Sequence, residues 1–170
     1  YNILKYEIKI DDNKIKMDTN KGFFIDTITK DINYESAIFE LIDNSNDAAK
    51  VCTDNKKLSG YKVEIKCNKS SFFIEDNCGG MDLNTVKKYV FKLGNDNRKK
   101  NKKYCVGRYG IGMKRAFFKL GNNIFFKSIT PDIIVSVNLN IAKWKKQSDW
   151  DIEYSRSEER RVGKECPRCV

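Results

Sequence analysis

The chain has 170 residues, 40% of them hydrophobic and 33% charged, enough for one domain with a core and too apolar for a disordered polyelectrolyte. It contains no histidine, which excludes histidine general bases, histidine metal ligands and a phosphoacceptor histidine within these residues. The formal net charge of +10 admits a polyanionic partner, or only a Lys/Asn/Ile-rich composition, and no apolar run approaches the roughly 20 residues of a membrane span.

In chain order, Tyr1-Asn-Ile-Leu-Lys carries no signal-peptide pattern, and the Tyr start is expected of a piece of something longer. Ile3 to Ile10 alternates apolar and polar residues as a strand does, and Asp11-Asp12-Asn13 is a turn signal. Phe23 to Ile32 has helical apolar spacing, with Phe24, Ile28 and Ile32 on one side. Tyr34 to about Cys52 predicts a long helix, with Asn33 as N-cap and Glu35 and Ser36 in its first turn. Positions four apart stack on one face, so Glu40 and Asn44 lie side by side, with Asp47 further along. Ala37, Leu41 and Ala48 make the neighbouring apolar stripe.

Asp54 to Gly60 reads as a loop. Tyr61–Cys67 and Ser71–Asp76 read as a β-hairpin around Asn68-Lys69-Ser70. Asp82 caps a helix running to about Phe91, and Gly94 to Lys103 is polar, basic and aperiodic, hence a mobile loop. Ile111 to Leu120 is a helix closed by Gly121. Ile124–Ile129 and Ile133–Leu139 are strands paired around Thr130-Pro131-Asp132. Helices and antiparallel strands in separate runs predict an α+β two-layer sandwich, with helices on one face of the sheet.

Four cysteines, at 52, 67, 78 and 105, show no paired spacing and read as reduced thiols of a cytoplasmic protein. Cys166-Pro-Arg-Cys169 has the spacing of a metal knuckle but stands alone. It lies in an Arg/Glu-rich stretch from Arg156 that resembles the conceptual translation of a sequencing-adapter oligonucleotide. Residues 1–155 are therefore taken as the domain, and 156–170 as an artefactual or disordered tail.

Three segments carry chemistry. A carboxylate beside a carboxamide, Glu40 and Asn44, suits an activated water and a hard cation. Asp76 ends an apolar strand ahead of Gly79, Gly80 and Met81, where a partly shielded carboxylate can accept from an exocyclic amine while glycines let the backbone approach a flat ring. Gly107-Arg108-Tyr109-Gly110-Ile111-Gly112 opens a helix, whose free N–H groups bind phosphate, and Lys114 adds a point charge. Neither a Walker A spacing nor a dinucleotide-binding βαβ unit is present. Each segment alone also has a plainer reading: a solvated helix face, a strand-to-helix turn, a glycine-rich turn.

Taken together and in this order, the three resemble the GHKL ATPase superfamily of gyrase B, the ninety-kilodalton heat-shock chaperone, histidine kinases and MutL. Glu40-Leu-Ile-Asp-Asn44-Ser-Asn-Asp47-Ala48 looks like its N-box, Asp76-Asn-Cys-Gly-Gly80-Met81 like its adenine box, and Gly107 to Lys114 like its glycine-rich lid box. A Glu four residues before the Asn is nearest the MORC and MutL type. The resemblance implies the Bergerat-type fold, with a mixed, mostly antiparallel sheet that stops short at the C-terminus. It implies ATP and Mg²⁺ as cofactors, slow hydrolysis, and an ATP-dependent homodimer, with nucleic acid a partner through other domains and no membrane; the alternatives are a non-hydrolysing nucleotide-sensing module and a nucleic-acid-binding module built on the basic surface around Lys99-Lys100-Asn-Lys102-Lys103. By position, Glu40 would be catalytic and Asn44 would ligate the metal. Asn44, Asp47, Ala48, Asp76, Gly80, Met81, Gly94, Gly107, Arg108, Tyr109, Gly110, Ile111, Gly112, Met113 and Lys114 would line the nucleotide, with Lys92 to Arg108 as the lid. Two departures stand out: Cys78 replaces the first glycine of the adenine box, and no equivalent of the family's later adenine-contacting threonine occurs before Ser155.

Overall fold

Helix α1 spans Lys21–Thr29 and starts where Asn20 accepts a bond from the Phe23 amide at 2.7 Å. A computed structural model describes residues 19–53, 57–92 and 111–158. The expected strand at Ile3–Ile10, its following turn, the first part of the Asp54–Gly60 loop, the basic loop and most of the tail lie outside the described residues. α1 is shorter than its periodicity predicted. Ile32 leaves the helix and is buried against Ala37 and Leu41 of the next helix.

Helix α2, Tyr34–Thr53, has the predicted cap: Asn33 accepts from the Ser36 amide at 2.7 Å, and Glu35 sits in the positive first turn. Its buried stripe runs Ala37, Leu41, Ser45, Ala49 at strict four-residue steps, with Ala48 only half-buried beside it. Strands β1 (Val63–Cys67) and β2 (Phe72–Asp76) form the predicted antiparallel hairpin. Asn68 closes it by accepting from the amides of Ser70 and Ser71 at 2.9 and 2.8 Å. Phe72 and Ile74 turn toward α2.

Asp82 accepts from the Thr85 amide at 2.6 Å and starts helix α3, Leu83–Thr85, which continues as a π-turn over Val86–Val90 instead of as one regular helix. Helix α4, Gly112–Leu120, ends at Gly121, whose φ of −154° is ordinary extended backbone. The amide of Gly121 bonds Phe117 O, so the stop requires no left-handed residue. α4 also closes α1: Arg115 Nε donates to Ile28 O at 2.8 Å and Lys119 Nζ to Thr29 O at 3.5 Å, placing cations on the carbonyl end of that helix.

Strands β3 (Asn123–Ile129) and β4 (Ile134–Asn140) pair as predicted. Helix α5 (Ile141–Lys145) and strand β5 (Tyr154–Ser157) were not anticipated. β5 lies antiparallel to β4 with Val135 opposite Arg156, so this strand crosses the Ser155–Arg156 boundary. The described strands form two antiparallel sheets, β1-β2 and β3-β4-β5, in an α+β fold. Ile124, Phe126 and Ser128 on β3 pair with Leu139, Val137 and Val135 on β4 and form the face toward the helices. Phe125, Lys127 and Asn138 point the other way and are exposed. Phe117 on α4 packs into all three buried clusters, joining α1, α2 and the β3-β4-β5 sheet. Lys21, though charged, is buried at the start of α1; its ammonium bonds Trp144 O and Gln147 O, each at 2.8 Å, and caps the end of α5.

Candidate nucleotide site

α2 is the spine of the site, because two of its residues reach two other elements. Ser45, one turn past Leu41 on the buried stripe, donates to Asp76 Oδ2 at 2.7 Å. Five residues earlier, about 7.5 Å back along the axis, Glu40 lies against the start of α4. A Cβ added at Gly112 would overlap Glu40 Oε2. The absence of a side chain at Gly112 is therefore what lets the Glu40 carboxylate sit at the helix mouth. Helices α2 and α4 approach closely there because the facing residues Ala37 and Ala116 are small and fully buried.

The Asp76 carboxylate is exposed at the end of β2, not sheltered as expected, yet both its oxygens are held. Oδ2 accepts from Ser45, and Oδ1 accepts from the Cys78 amide at 2.9 Å. Beyond it the chain turns through Gly79 and Gly80, with φ of +93° and +70°, a left-handed pair that glycine adopts without strain. Gly80 passes so close to β3 that a Cβ would overlap Ile129 O. Met81, half-buried, packs with Val86, Val90 and Val135, and both its backbone groups bond Ser128 Oγ: N–H to Oγ at 2.6 Å, and Oγ–H to the carbonyl at 3.0 Å.

Asn44 donates from Nδ2 to Glu40 O at 2.7 Å, leaving Oδ1 as the side chain's acceptor. Asp47 is buried, 4.0 Å from Lys50 Nζ. Ile111 precedes α4 and accepts the Arg115 amide, and Met113 turns into the core beside Phe117. Lys114 is buried too: its Nζ donates to Tyr89 O at 2.7 Å at the end of the π-turn, and burial lowers its pKa to about 8. Burial beside Asp76 and Cys52 pushes the Cys78 thiol up to about 12, and Cys52 Sγ lies 3.4 Å from the Cys78 carbonyl. Cys78, in place of a glycine, is thus accommodated as a neutral side chain tucked under the turn. Gly94, Gly107, Arg108, Tyr109, Gly110 and most of the lid lie outside the described residues.

The structure therefore brings Glu40, Asn44, Asp76, Gly80, Met81 and Gly112 into one region around α2, and turns Lys114 and Met113 inward. Ser45 and Ser128 were missed by the sequence reading. A signal existed for each: both are small hydroxyl residues at positions where the helical or strand period calls for an apolar side chain. Among the described residues no group of three or more His, Cys, Asp or Glu is placed to hold a metal. One amide oxygen still fits magnesium, which takes one or two protein oxygens and fills its octahedron with phosphate and water.

This arrangement, a carboxylate-carboxamide helix, an aspartate-glycine turn and a glycine-opened helix on an α+β scaffold, defines a nucleotide-binding class of domain. The chain matches the family of histidine kinase-, DNA gyrase B- and HSP90-like ATPases over residues 32–167, and belongs to it. It is also 34% identical over 85 residues to Protein MICRORCHIDIA 1 of Arabidopsis thaliana, a likeness that supports the MORC-like type. That alignment covers 50% of this chain and 13% of the relative, so the chain spans a small part of that protein's length. Membership makes ATP binding the function class of the domain. No described helix is long and apolar enough to cross a membrane.

Proposed function

We propose that this domain binds ATP with Mg²⁺ and hydrolyses it slowly to ADP and phosphate. The observation that carries the reading is the double reach of α2: Ser45 to Asp76 at one level, Glu40 to Gly112 at the next. One helix thereby sets the spacing between a base-recognising carboxylate and a water-orienting one. Asp76 accepts a hydrogen bond from the adenine amine, and Gly80 and Met81 give the ring a flat wall. Asn44 Oδ1 would hold the cation, and Asp47 and Ala48 would line the nucleotide beside it. The cation, when bound, neutralises phosphate charge. Ile111, Gly112 and the preceding glycine-rich segment, Gly107 to Gly110, offer backbone N–H groups to the phosphates. Glu40 orients one water in line with the γ-phosphorus and receives its proton. Positioning and charge neutralisation supply most of the rate.

A Lys114 ammonium that turns toward a phosphate gives up its bond to Tyr89 O, and closure of residues 92–108 over the nucleotide would accompany binding. Closure, and ATP-driven pairing of two copies, would be the output that a larger protein uses, in a soluble compartment such as the cytoplasm. Calorimetry with Mg-ATP on the chain, on Asp76→Asn and on Glu40→Ala tests the reading. Asp76→Asn should weaken binding roughly tenfold or more, the worth of a charge-assisted hydrogen bond. Glu40→Ala should bind ATP normally and fail to turn it over. Unchanged affinity in Asp76→Asn would remove that residue from the base site, and equal loss of binding and turnover in Glu40→Ala would sink its role as base.

A further inference from the structure

We infer that Ser128 is a positioning residue for base recognition, holding the Gly79–Met81 turn at a fixed height on strand β3. The inference rests on the ATP-site reading above and deepens it. Ser128 stands where β3 presents its inner face, in line with Ile124 and Phe126, opposite Val135, and it is only 5% exposed. A hydroxyl there costs free energy unless it is bonded. Its bonds go to Met81 alone among the described hydrogen bonds, accepting from the amide and donating to the carbonyl. One side chain thus satisfies both backbone groups of a single turn residue, which an apolar residue cannot do and a carboxylate would do for the amide only.

The neighbouring contact works the same way. Among the described strands β3 is the outer one of its sheet, and Gly80 approaches it so closely that a Cβ would overlap Ile129 O. The turn therefore docks along the side of β3 turned away from β4. Its other end is held by the Cys78 amide on Asp76 Oδ1. A rise of the turn off β3 moves the wall of the base site relative to the carboxylate that reads the amine. Ser128 itself need touch neither base nor phosphate; it acts through Met81 and Gly80.

The test compares the ratio of ATP to ITP affinity, since ITP carries a carbonyl where ATP carries the amine. Ser128→Thr and Ser128→Val differ by one hydroxyl at nearly equal volume. Thr should keep the wild-type ratio; Val should lower it roughly tenfold, as expected for a bond network worth about 1.4 kcal/mol. Ser128→Ala, which adds no bulk, is read by the same ratio if the branched variants do not fold. Asp76→Asn is measured in parallel. A collapsed ratio in Asp76→Asn with an unchanged ratio in Ser128→Val and Ser128→Ala overturns the role of Ser128 and leaves the base site standing. An unchanged ratio in Asp76→Asn overturns the base site, and the role of Ser128 with it. Equal loss of ATP and ITP affinity in the Ser128 variants, with the ratio preserved, marks Ser128 as structural only and also overturns the proposal.

Discussion

Gly112 shows how a single missing side chain can decide where a neighbouring carboxylate lies. Its backbone is not left-handed, so flexibility is not what glycine supplies here; it supplies space for the Glu40 carboxylate. Gly112→Ala should leave the fold intact, because the atom it meets is the far end of a flexible side chain, and should push that carboxylate aside. The expected outcome is a fall in kcat on the order of 100-fold, the scale of a 1 Å misplacement at a reacting centre. The Kd for ATP should change less than about threefold, a loss confined to the transition state. Wild-type turnover in this variant, measured by phosphate release, would separate Glu40 from the attacking water. Ser45 and Asp76 make the complementary case. Here a bond at 2.7 Å between helix and strand holds the carboxylate, and spacing along α2 alone did not reveal it.

At the scale of elements, the strongly periodic segments were legible and the weakly periodic ones were not. The cap at Asn33, the hairpin around Asn68 and the β3–β4 pair each carry a local signal, either an Asx residue with free amides ahead of it or alternation of apolar residues. Strand β5 has none: Tyr154-Ser-Arg-Ser is exposed along its length and is held by the β4 backbone, as polar edge strands often are. Helix α5 is a single turn, anchored by Ile141 and Trp144 and by the bond from Lys143 N to Asn140, too short for a 3.6-residue period to register. The π-turn after Asp82 is illegible for another reason. Its cap and its apolar positions Val86 and Val90 suit a regular helix equally well, and tertiary packing decides between them. Within the candidate site, the segments that would touch ligand were legible as short motifs. Inward rotation of Lys114 and Met113 was not, because it depends on which face of α4 meets the π-turn.

Across the whole molecule, Phe117 is the residue whose loss should be felt most widely, since it joins all three buried clusters. Phe117→Ala should lower unfolding stability by about 3 kcal/mol, the low end for a buried aromatic because Phe117 is only partly enclosed. Phe125→Ala, at a position 70% exposed on the opposite face of the same sheet, should change it by less than about 0.5 kcal/mol. Urea midpoints measure both, and equal shifts would contradict the assignment of the inner face. A small domain has only about 5–15 kcal/mol in total, so Phe117→Ala is also expected to loosen the packing of α4 against α2 and the β3-β4-β5 sheet.

Lys114 gives the molecule a sensitivity to acidity. Burial lowers the pKa of its amine from 10.5 to about 8. The folded chain therefore releases this proton between about pH 8 and 10.5, where the unfolded chain keeps it. Its contribution to stability is complete above about pH 10.5 and is lost as pH falls through about 8, so Lys114→Met should gain stability over the wild type at pH 7 and lose that advantage toward pH 10. The same displaced equilibrium couples any movement of the amine to its surroundings. When Lys114 leaves Tyr89 O for water or for a phosphate, its affinity for hydrogen ions rises, and near pH 8 a fraction of an ion is drawn from the medium. Nucleotide association would then tighten on acidification through this range, and its observed heat would change with the ionisation enthalpy of the buffer.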